Sequence, residues 1–251
     1  MSAARLVASR RLGVIGCGRI GLPVLQAIQE GMLPGWTLCG VLARTSRTID
    51  AGGLVSASTD LEQFLAGSPD LILEAAGPQA LAAHGVRALA AADVWTVSGA
   101  ALADARLYDD LQAAGRRSGH RLRMVSGAFA GLDGVAMAFA DPQATLRIDV
   151  DLPPSEGEDA DLFSGCVREG AAGFPDGVNV AVAAALAGPG LDAARLHIHR
   201  LRARHRLSLQ AGSRHVEVRA SVEVRSGAGL HPVAACLIAC LRRETQTIWA
   251  G

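Results

Sequence analysis

The sequence contains no lysine: every one of its 24 Lys+Arg positions is arginine, balanced by 24 acidic residues. Without an ammonium side chain there is no Schiff-base former, no amine base and no lysine clamp for a phosphate. The formal net charge is zero, which removes the electrostatic case for binding nucleic acid or an anionic membrane. No CxxC pair occurs among Cys17, Cys39, Cys166, Cys236 and Cys240. An odd, scattered set of this kind argues against a disulfide framework and fits a reducing cytoplasm. Cys236 and Cys240, four apart in a helical pattern, read as small buried apolar residues. No bound metal is expected. No apolar run reaches membrane-spanning length, and no signal-type apolar core precedes Arg10 and Arg11, so Met1–Arg10 reads as a frayed leader. With 50% apolar and 19% charged residues, the composition is that of a folded globular chain.

Against these absences stands one strong local pattern. Residues 11–21 read RLGVIGCGRIG, a short apolar strand followed by Gly16, Gly18 and Gly21 and then a helical run from Leu22 to Gln29. Strand, GxGxxG and helix in that order make a dinucleotide-binding turn. Gly16 permits the tight turn, Gly18 lets backbone approach a diphosphate, and Gly21 lets helix and strand pack closely. Arg19 and Ile20 complete the turn, and free N–H groups at the helix start receive the diphosphate.

Strands and helices alternate through the first half. Strands are expected at Leu12–Ile15, Trp36–Ala43, Leu71–Ala75, Val94–Ser98 and Leu122–Val125. Helices are expected at Thr59–Leu65 (opened by a capping Ser or Thr), Gln79–Ala91 and Asp104–Arg117. That alternation predicts a Rossmann-type, doubly wound parallel sheet over residues 1–125. Ser126–Gly134 reads as a flexible crossover. Residues 126–227 form a second, α+β domain for substrate and dimerisation, with an open, mainly antiparallel sheet. Its half-exposed strand Leu146–Leu152 is followed by a helix from Asp161 to Leu186 broken near Gly173–Pro175. Strands at Leu196–Leu201, His205–Leu209 and His215–Val224 then form antiparallel hairpins. The final helix, Pro232–Arg243, has proline at its first position, and residues 228–251 are expected to return to the first domain. A one-sided sheet suggests a homodimer.

The end of the second strand selects the nucleotide. An acidic residue there bonds a ribose 2′-hydroxyl, whereas arginine accommodates a 2′-phosphate. This chain has Arg44, Thr45, Ser46 and Arg47 there and no acid, so NADP is preferred and NAD is the alternative. Ala76 and Gly77, after the third strand, and Ser98 and Gly99, after the fourth, sit at the carboxyl edge where such sheets bind ligands. Glu74 and Asp133 are candidate acids with capping or hinge roles as their alternatives.

An amine oxidation needs a proton carrier, and in the absence of lysine histidine is the natural one. His84 and His120 read as solvated. His197 and His199 share a strand face, where a structural role outweighs a two-ligand metal site. His205 alternates in phase with Leu207 and Leu209, on the inner, coenzyme-facing side, while Arg204, Arg206 and Ser208 point away. Asn179, in an apolar run, needs a partner: the nicotinamide carboxamide, the substrate or a backbone group. Among Arg168, Arg204, Arg206 and Arg219, Arg168 is the candidate ligand for a substrate carboxylate.

With these residues in place, the chain resembles the L-aspartate dehydrogenase family over nearly its whole length. The likeness is carried by Gly16–Gly21, LEAAGPQAL (Leu73–Leu81), SGAALAD (Ser98–Asp104) and SGAFAGLDG (Ser126–Gly134). It continues through residues 163–188, with Phe174, Pro175, Asn179 and Val180, and a late strand opened by His205. The resemblance implies reversible, NAD(P)-dependent deamination of aspartate to oxaloacetate and ammonia through iminosuccinate, with His205 catalytic. Departures occur at Gly177 and Ala203, where the family usually has Asn, in a missing Asp-Pro before the His205 strand, and at His231–Ala234, where it usually has Asn-Pro-Lys-Thr. The competing readings are a reductase of the same scaffold for another small amino or oxo acid, and a non-catalytic NADP-binding sensor.

Overall fold

The computed structural model describes residues 9–127, 129–152, 159–201, 205–224 and 229–248. The described residues divide into two compact units. One lies within Met1–Thr96, Asp110–Arg123 and Val233–Ala250, the other within Val97–Asp109 and Met124–Pro232.

The chain opens with β1 (Arg10–Ile15), α1 (Gly21–Gln29), β2 (Trp36–Leu42), β3 (Arg47–Asp50), β4 (Leu54–Ser58), α2 (Leu61–Ala66) and β5 (Leu71–Glu74). Next come α3 (Pro78–Ala91), β6 (Asp93–Thr96), a 3₁₀ turn (Gly99–Ala103), α4 (Ala105–Ser118) and β7 (Leu122–Met124). These strands form one sheet in the order β3-β4-β2-β1-β5-β6-β7. The β1–β2, β1–β5, β2–β4 and β5–β6 pairings are parallel. Leu12, Val14, Leu71, Ile72, Leu73 and Val94 are buried, as expected of a parallel sheet covered on both faces. The chain leaves β1 toward β2 and later returns to β5 on its other side. That reversal opens a crevice at the carboxyl end of β1, where ligands enter sheets of this kind.

Two local expectations are corrected here. Residues 47–58 form an antiparallel hairpin of β3 on β4, where no strand is expected because RTID and LVSAS are short, partly exposed and mixed in polarity. Gly52, at φ +81°, lies in its turn. The helix α2 is capped by Asp60, not by Ser or Thr: Asp60 Oδ1 accepts from the N–H groups of Glu62 (2.8 Å) and Gln63 (3.4 Å). Such a cap stabilises a helix by about 1 kcal/mol.

The last helix, α8 in chain order (Pro232–Glu244), contributes to the first unit. Trp36 Nε1 donates to the Leu241 carbonyl at 2.8 Å. Arg10 and Arg123 both pair with Glu244 and stack on Trp36 and Trp95 respectively. The Cys236–Cys240 pair is more than apolar filling. A hydrogen bond from Cys236 brings the Cys240 thiol down to about 6; burial opposes this, and the Arg243 and Arg123 charges reinforce it. Arg243 Nη2 donates to Cys240 Sγ at 3.4 Å.

The second unit holds α5 (Leu132–Ala138), β8 (Thr145–Leu152), β9 (Ala160–Cys166), α6 (Val167–Gly173), α7 (Asn179–Leu186), β10 (Arg195–Arg200), β11 (Arg206–Gly212) and β12 (Glu217–Glu223). Its sheet runs β12-β11-β8-β10-β9. One face (Leu146, Ile148, Val150, Leu196, Ile198, Leu207, Leu209 and Ala211) is buried under α5, α6 and α7. Three expectations change. Ala160–Cys166 is a strand, not the start of a helix, because it pairs antiparallel with β10. β10 and β11 are not a hairpin: β8 lies between them, parallel to β10 and antiparallel to β11. The presumed crossover Ser126–Gly134 already contains the start of α5.

The other face of this sheet is polar. Arg147 pairs with Asp149 and Arg206 with Asp151. The His197 and His199 rings lie parallel at 6.5 Å, and His199 Nδ1 donates to Asp161 at 2.7 Å. Among the described residues, no cluster of three or more His, Cys, Asp or Glu is arranged to hold a metal ion.

Candidate coenzyme cleft and catalytic residues

The carboxyl end of β1 opens into a cleft of about 510 Å³. Its floor is the glycine turn, lined by Ile15 to Ile20. Its walls are Leu42, Ala43, Arg44, Thr45 and Arg47 on one side and Ala75, Ala76, Ala80 and His84 on the other, with Thr59 after β4. Each glycine can be assigned a physical role. Gly16 has φ +97°, and a Cβ there would meet the Ala76 backbone at 2.8 Å. A Cβ on Gly21 would lie 1.9 Å from the Gly16 carbonyl oxygen, so only glycine lets α1 start this close to the turn. At Gly18 nothing lies within 4 Å: its missing side chain leaves open space in the cleft. Leu22 N–H closes the first turn of α1 on the Gly18 carbonyl at 2.9 Å, which leaves the N–H groups before it for an anion. This cradle fits a dinucleotide diphosphate.

The second wall is braced by Glu74. Its side chain is 1% exposed. Oε1 accepts from the Ala76 and Gly77 N–H groups at 2.7 and 3.0 Å, and Oε2 accepts from Thr96 Oγ1 at 2.5 Å. Glu74 thus holds the β5–α3 turn, in which Gly77 takes φ +110°. Asp133 is exposed in the first turn of α5.

The structure sorts the residues expected at the coenzyme. Gly16, Gly18, Arg19, Ile20, Arg44, Thr45 and Ala76 line the cleft; Ser46 and Gly77 adjoin lining residues without lining it. Arg47 is tied to the glycine turn, its Nη2 donating to the Cys17 carbonyl at 3.3 Å and to Cys17 Sγ at 3.0 Å. Cys17, Thr59, Ala80 and His84 were not foreseen. Thr59 was hidden by the missed hairpin. His84, expected to be solvated, is half-buried on the wall. The available signal was its spacing of four from Ala80, which puts both on one side of α3.

Ser98, Gly99 and Asn179 belong to the second unit. Gly99 allows close packing there: a Cβ would lie 3.0 Å from the Asn179 carbonyl oxygen and 3.1 Å from Val182 Cβ. Asn179 opens α7, and its Oδ1 accepts from the Ala100 N–H at 2.9 Å, the backbone alternative among its expected partners. Its Nδ2 has no protein partner among the described residues. Asn179→Ala leaves the Ala100 N–H unpaired, which is expected to cost about 1–3 kcal/mol, read as a lower denaturation midpoint with unchanged m-value.

Arg168, expected to receive a substrate carboxylate, already grips one. Its Nε and Nη2 donate to Asp192 at 2.6 and 2.9 Å, and its Nη1 to the Ala103 carbonyl at 2.7 Å. A substrate would have to displace Asp192, so Arg168 is corrected to a strut between α6 and the 3₁₀ turn. Arg204 lies outside the described residues. Arg206 donates to Asp151 at 3.1 Å, and Arg219 to Glu217 at 2.7 Å.

His205 immediately precedes β11. Its carbonyl accepts from Val224 N–H at 2.8 Å, and strand alternation places its side chain in phase with buried Leu207 and Leu209. Partial burial lowers the imidazole below its ordinary range. The Asp151 carboxylate, 2% exposed, pulls in the opposite direction, and His231 adds to the lowering.

A glycine cradle at the switch point of a Rossmann-like sheet, followed by an α+β unit with an open sheet, defines a two-domain nicotinamide-dependent dehydrogenase fold. Residues 16–124 match the family described as homoserine dehydrogenase, NAD binding domain, and residues 123–239 match that described as aspartate dehydrogenase, C-terminal. L-aspartate dehydrogenase of Ruegeria pomeroyi is 35% identical over 207 residues, 75% of this chain and 73% of its own length. L-aspartate dehydrogenase 2 of Bordetella pertussis is 36% identical over 214 residues, 76% and 78% of the two chains. The crystal structure of aspartate dehydrogenase from Thermotoga maritima has the same fold, with a TM-score of 0.75 at 20% identity over 96% of this chain and 99% of that one. This chain belongs to the L-aspartate dehydrogenase family.

Proposed function

We propose that the protein is an NADP-preferring amino-acid dehydrogenase that interconverts L-aspartate with oxaloacetate and ammonia through iminosuccinate, with His205 as its proton carrier. The observation that carries the reading is a half-buried imidazole, within electrostatic reach of the buried Asp151 carboxylate, in a chain that has no lysine. A nicotinamide coenzyme held in the cleft would supply the hydride chemistry. Gly16, Gly18, Arg19, Ile20 and Ala76 would hold its diphosphate and adjoining ribose, while Arg44 and Thr45 would meet the adenosine 2′-phosphate, with no acidic residue in the cleft lining to repel it.

The remaining work falls to this chain's own groups. Burial favours the neutral form of His205, in which a ring nitrogen can take a proton from the substrate ammonium or from the water that attacks the imine. The Asp151 charge stabilises the imidazolium once that proton is taken. In the reductive direction the imidazolium returns it. Asn179 Nδ2 is available to donate to the substrate. The reading includes a homodimer in the cytoplasm, the latter supported by five cysteines of which none is in a disulfide among the described residues.

A second reading, another small amino or oxo acid as substrate, is favoured by Gly177. A Cβ there would lie 2.6 Å from Leu152 Cδ2: a leucine fills the space beside a position where relatives are expected to carry an amide. The test is NADPH oxidation with ammonia and a panel of 2-oxo acids. Oxaloacetate is expected to be consumed fastest. Silence with oxaloacetate and turnover of another acid transfers the assignment to the second reading. NADPH binding without turnover of any acid overturns both.

A further inference from the structure

Within the coenzyme cleft one side chain stands apart in chemistry. The glycine turn and the alanines at 75, 76 and 80 offer backbone and methyl surface, while Arg19, Arg44, Arg47, Thr45 and Thr59 offer donors. His84 is the only aromatic ring among the lining residues. It is half-buried, and among the described residues it has no protein hydrogen-bond partner.

The backbone explains how the ring comes to be there. Leu81, Gly85 and Ala88 turn the buried face of α3 into the core. Ala80 and His84 lie one residue round from that face and one turn apart, so they form its border with the cleft. Ala80 is small and leaves room beside the imidazole. Arg87, three residues on, forms an ion pair with Glu62 of α2 and does not line the cleft. β2 and β5 flank β1, so Arg44 and His84 approach from either side of the glycine turn. A nucleotide whose diphosphate rested on that turn, and whose ribose met Arg44 and Thr45, would have its flat purine within the same cleft as the remaining wall.

We propose that His84 is a coenzyme-binding residue that stacks its imidazole on the adenine base, with the Ala80 methyl supporting the same face. The assignment rests on the dinucleotide reading of the cleft but not on the choice between NADP and NAD. Stacking acts through the ring's flat surface, so it serves both coenzymes equally. A hydrogen bond to a 2′-phosphate would serve NADPH alone.

Three variants separate these roles in fluorescence titrations of the full-length protein. His84→Ala is expected to raise the Kd of NADPH and of NADH by the same factor, about tenfold, within the range measured for loss of one aromatic–base stack. His84→Phe keeps a ring without its N–H donors and is expected to stay within about threefold of the wild type, while His84→Gln keeps a donor without the ring and is expected to follow alanine. Reduced nicotinamide mononucleotide, which lacks adenine, is expected to bind all four proteins alike. The reverse pattern, with glutamine rescuing and phenylalanine failing on NADPH only, overturns the stacking assignment in favour of a phosphate contact. Unchanged Kd values in His84→Ala overturn it outright while leaving the dinucleotide reading standing. A wild type that binds neither dinucleotide brings down both.

Discussion

Replacing His205 with alanine is expected to lower kcat by about 10²–10⁴-fold, the usual contribution of a positioned proton carrier, while the Kd for NADPH stays within about twofold of the wild type. The division follows from the two units: the glycine cradle lies in one and His205 in the other. The pH profile supplies a second readout. Burial lowers the His205 pKa below the 6.5 of a free imidazole. If His205 carries the proton as proposed, the neutral ring is the active form in the deamination direction. kcat/KM is therefore expected to rise with pH through a midpoint below 6.5 and to remain level through neutrality. In the reductive direction the imidazolium is the active form, and the same titration appears as a fall. His205→Ala is expected to remove this inflection from what activity remains. Retention of wild-type turnover in that variant would remove His205 from the mechanism, whatever the substrate.

Alanine at Gly18 and alanine at Gly21 are expected to fail in opposite ways, although the two residues are three apart in one motif. At Gly21 a methyl group would lie 1.9 Å from the Gly16 carbonyl oxygen and 2.9 Å from its carbon. Both are backbone atoms that cannot rotate away. The expected destabilisation is about 3 kcal/mol, or roughly a 10 °C fall in Tm for a chain of this size, with loss of coenzyme binding as the turn deforms. At Gly18 nothing lies within 4 Å, so the variant is expected to melt as the wild type does. Its methyl group instead occupies space in the cleft and is expected to weaken NADPH binding about tenfold or more, a change of about 1.4 kcal/mol. Thermal denaturation and fluorescence titration on both variants check the pair. Undiminished NADPH affinity in Gly18→Ala would mean that the diphosphate does not rest on this turn.

These two cases show why some of the site was legible in the chain alone. A glycine turn between strand and helix is a local device. Its three glycines, the apolar strand before it and the helix after it lie within 19 residues (11–29), and each constrains the next through the backbone. The absence of an acid after β2 is similarly local. Asn179 could be recognised as a polar group needing a partner, but whether that partner was substrate or the Ala100 N–H depended on a residue 79 positions away. Arg168 shows the same limit. Its charge suited a carboxylate, and the carboxylate it holds is Asp192, in the same chain.

What the amino-acid order determined by itself was therefore the set of short-range features: the nucleotide turn, the alternating α/β rhythm of the first half, the family, and the in-phase placement of His205 with Leu207 and Leu209. Tertiary structure alone decided that Ala160–Cys166 is a strand, because only pairing with β10 makes it one. It likewise put β8 between β10 and β11, gave Arg168 a partner inside the protein and brought His84 into the cleft wall. The physical reason is common to all four. Strand pairing, ion pairing and burial are satisfied by neighbours in space, and a sequence names the groups that need partners without saying which distant segment will supply them.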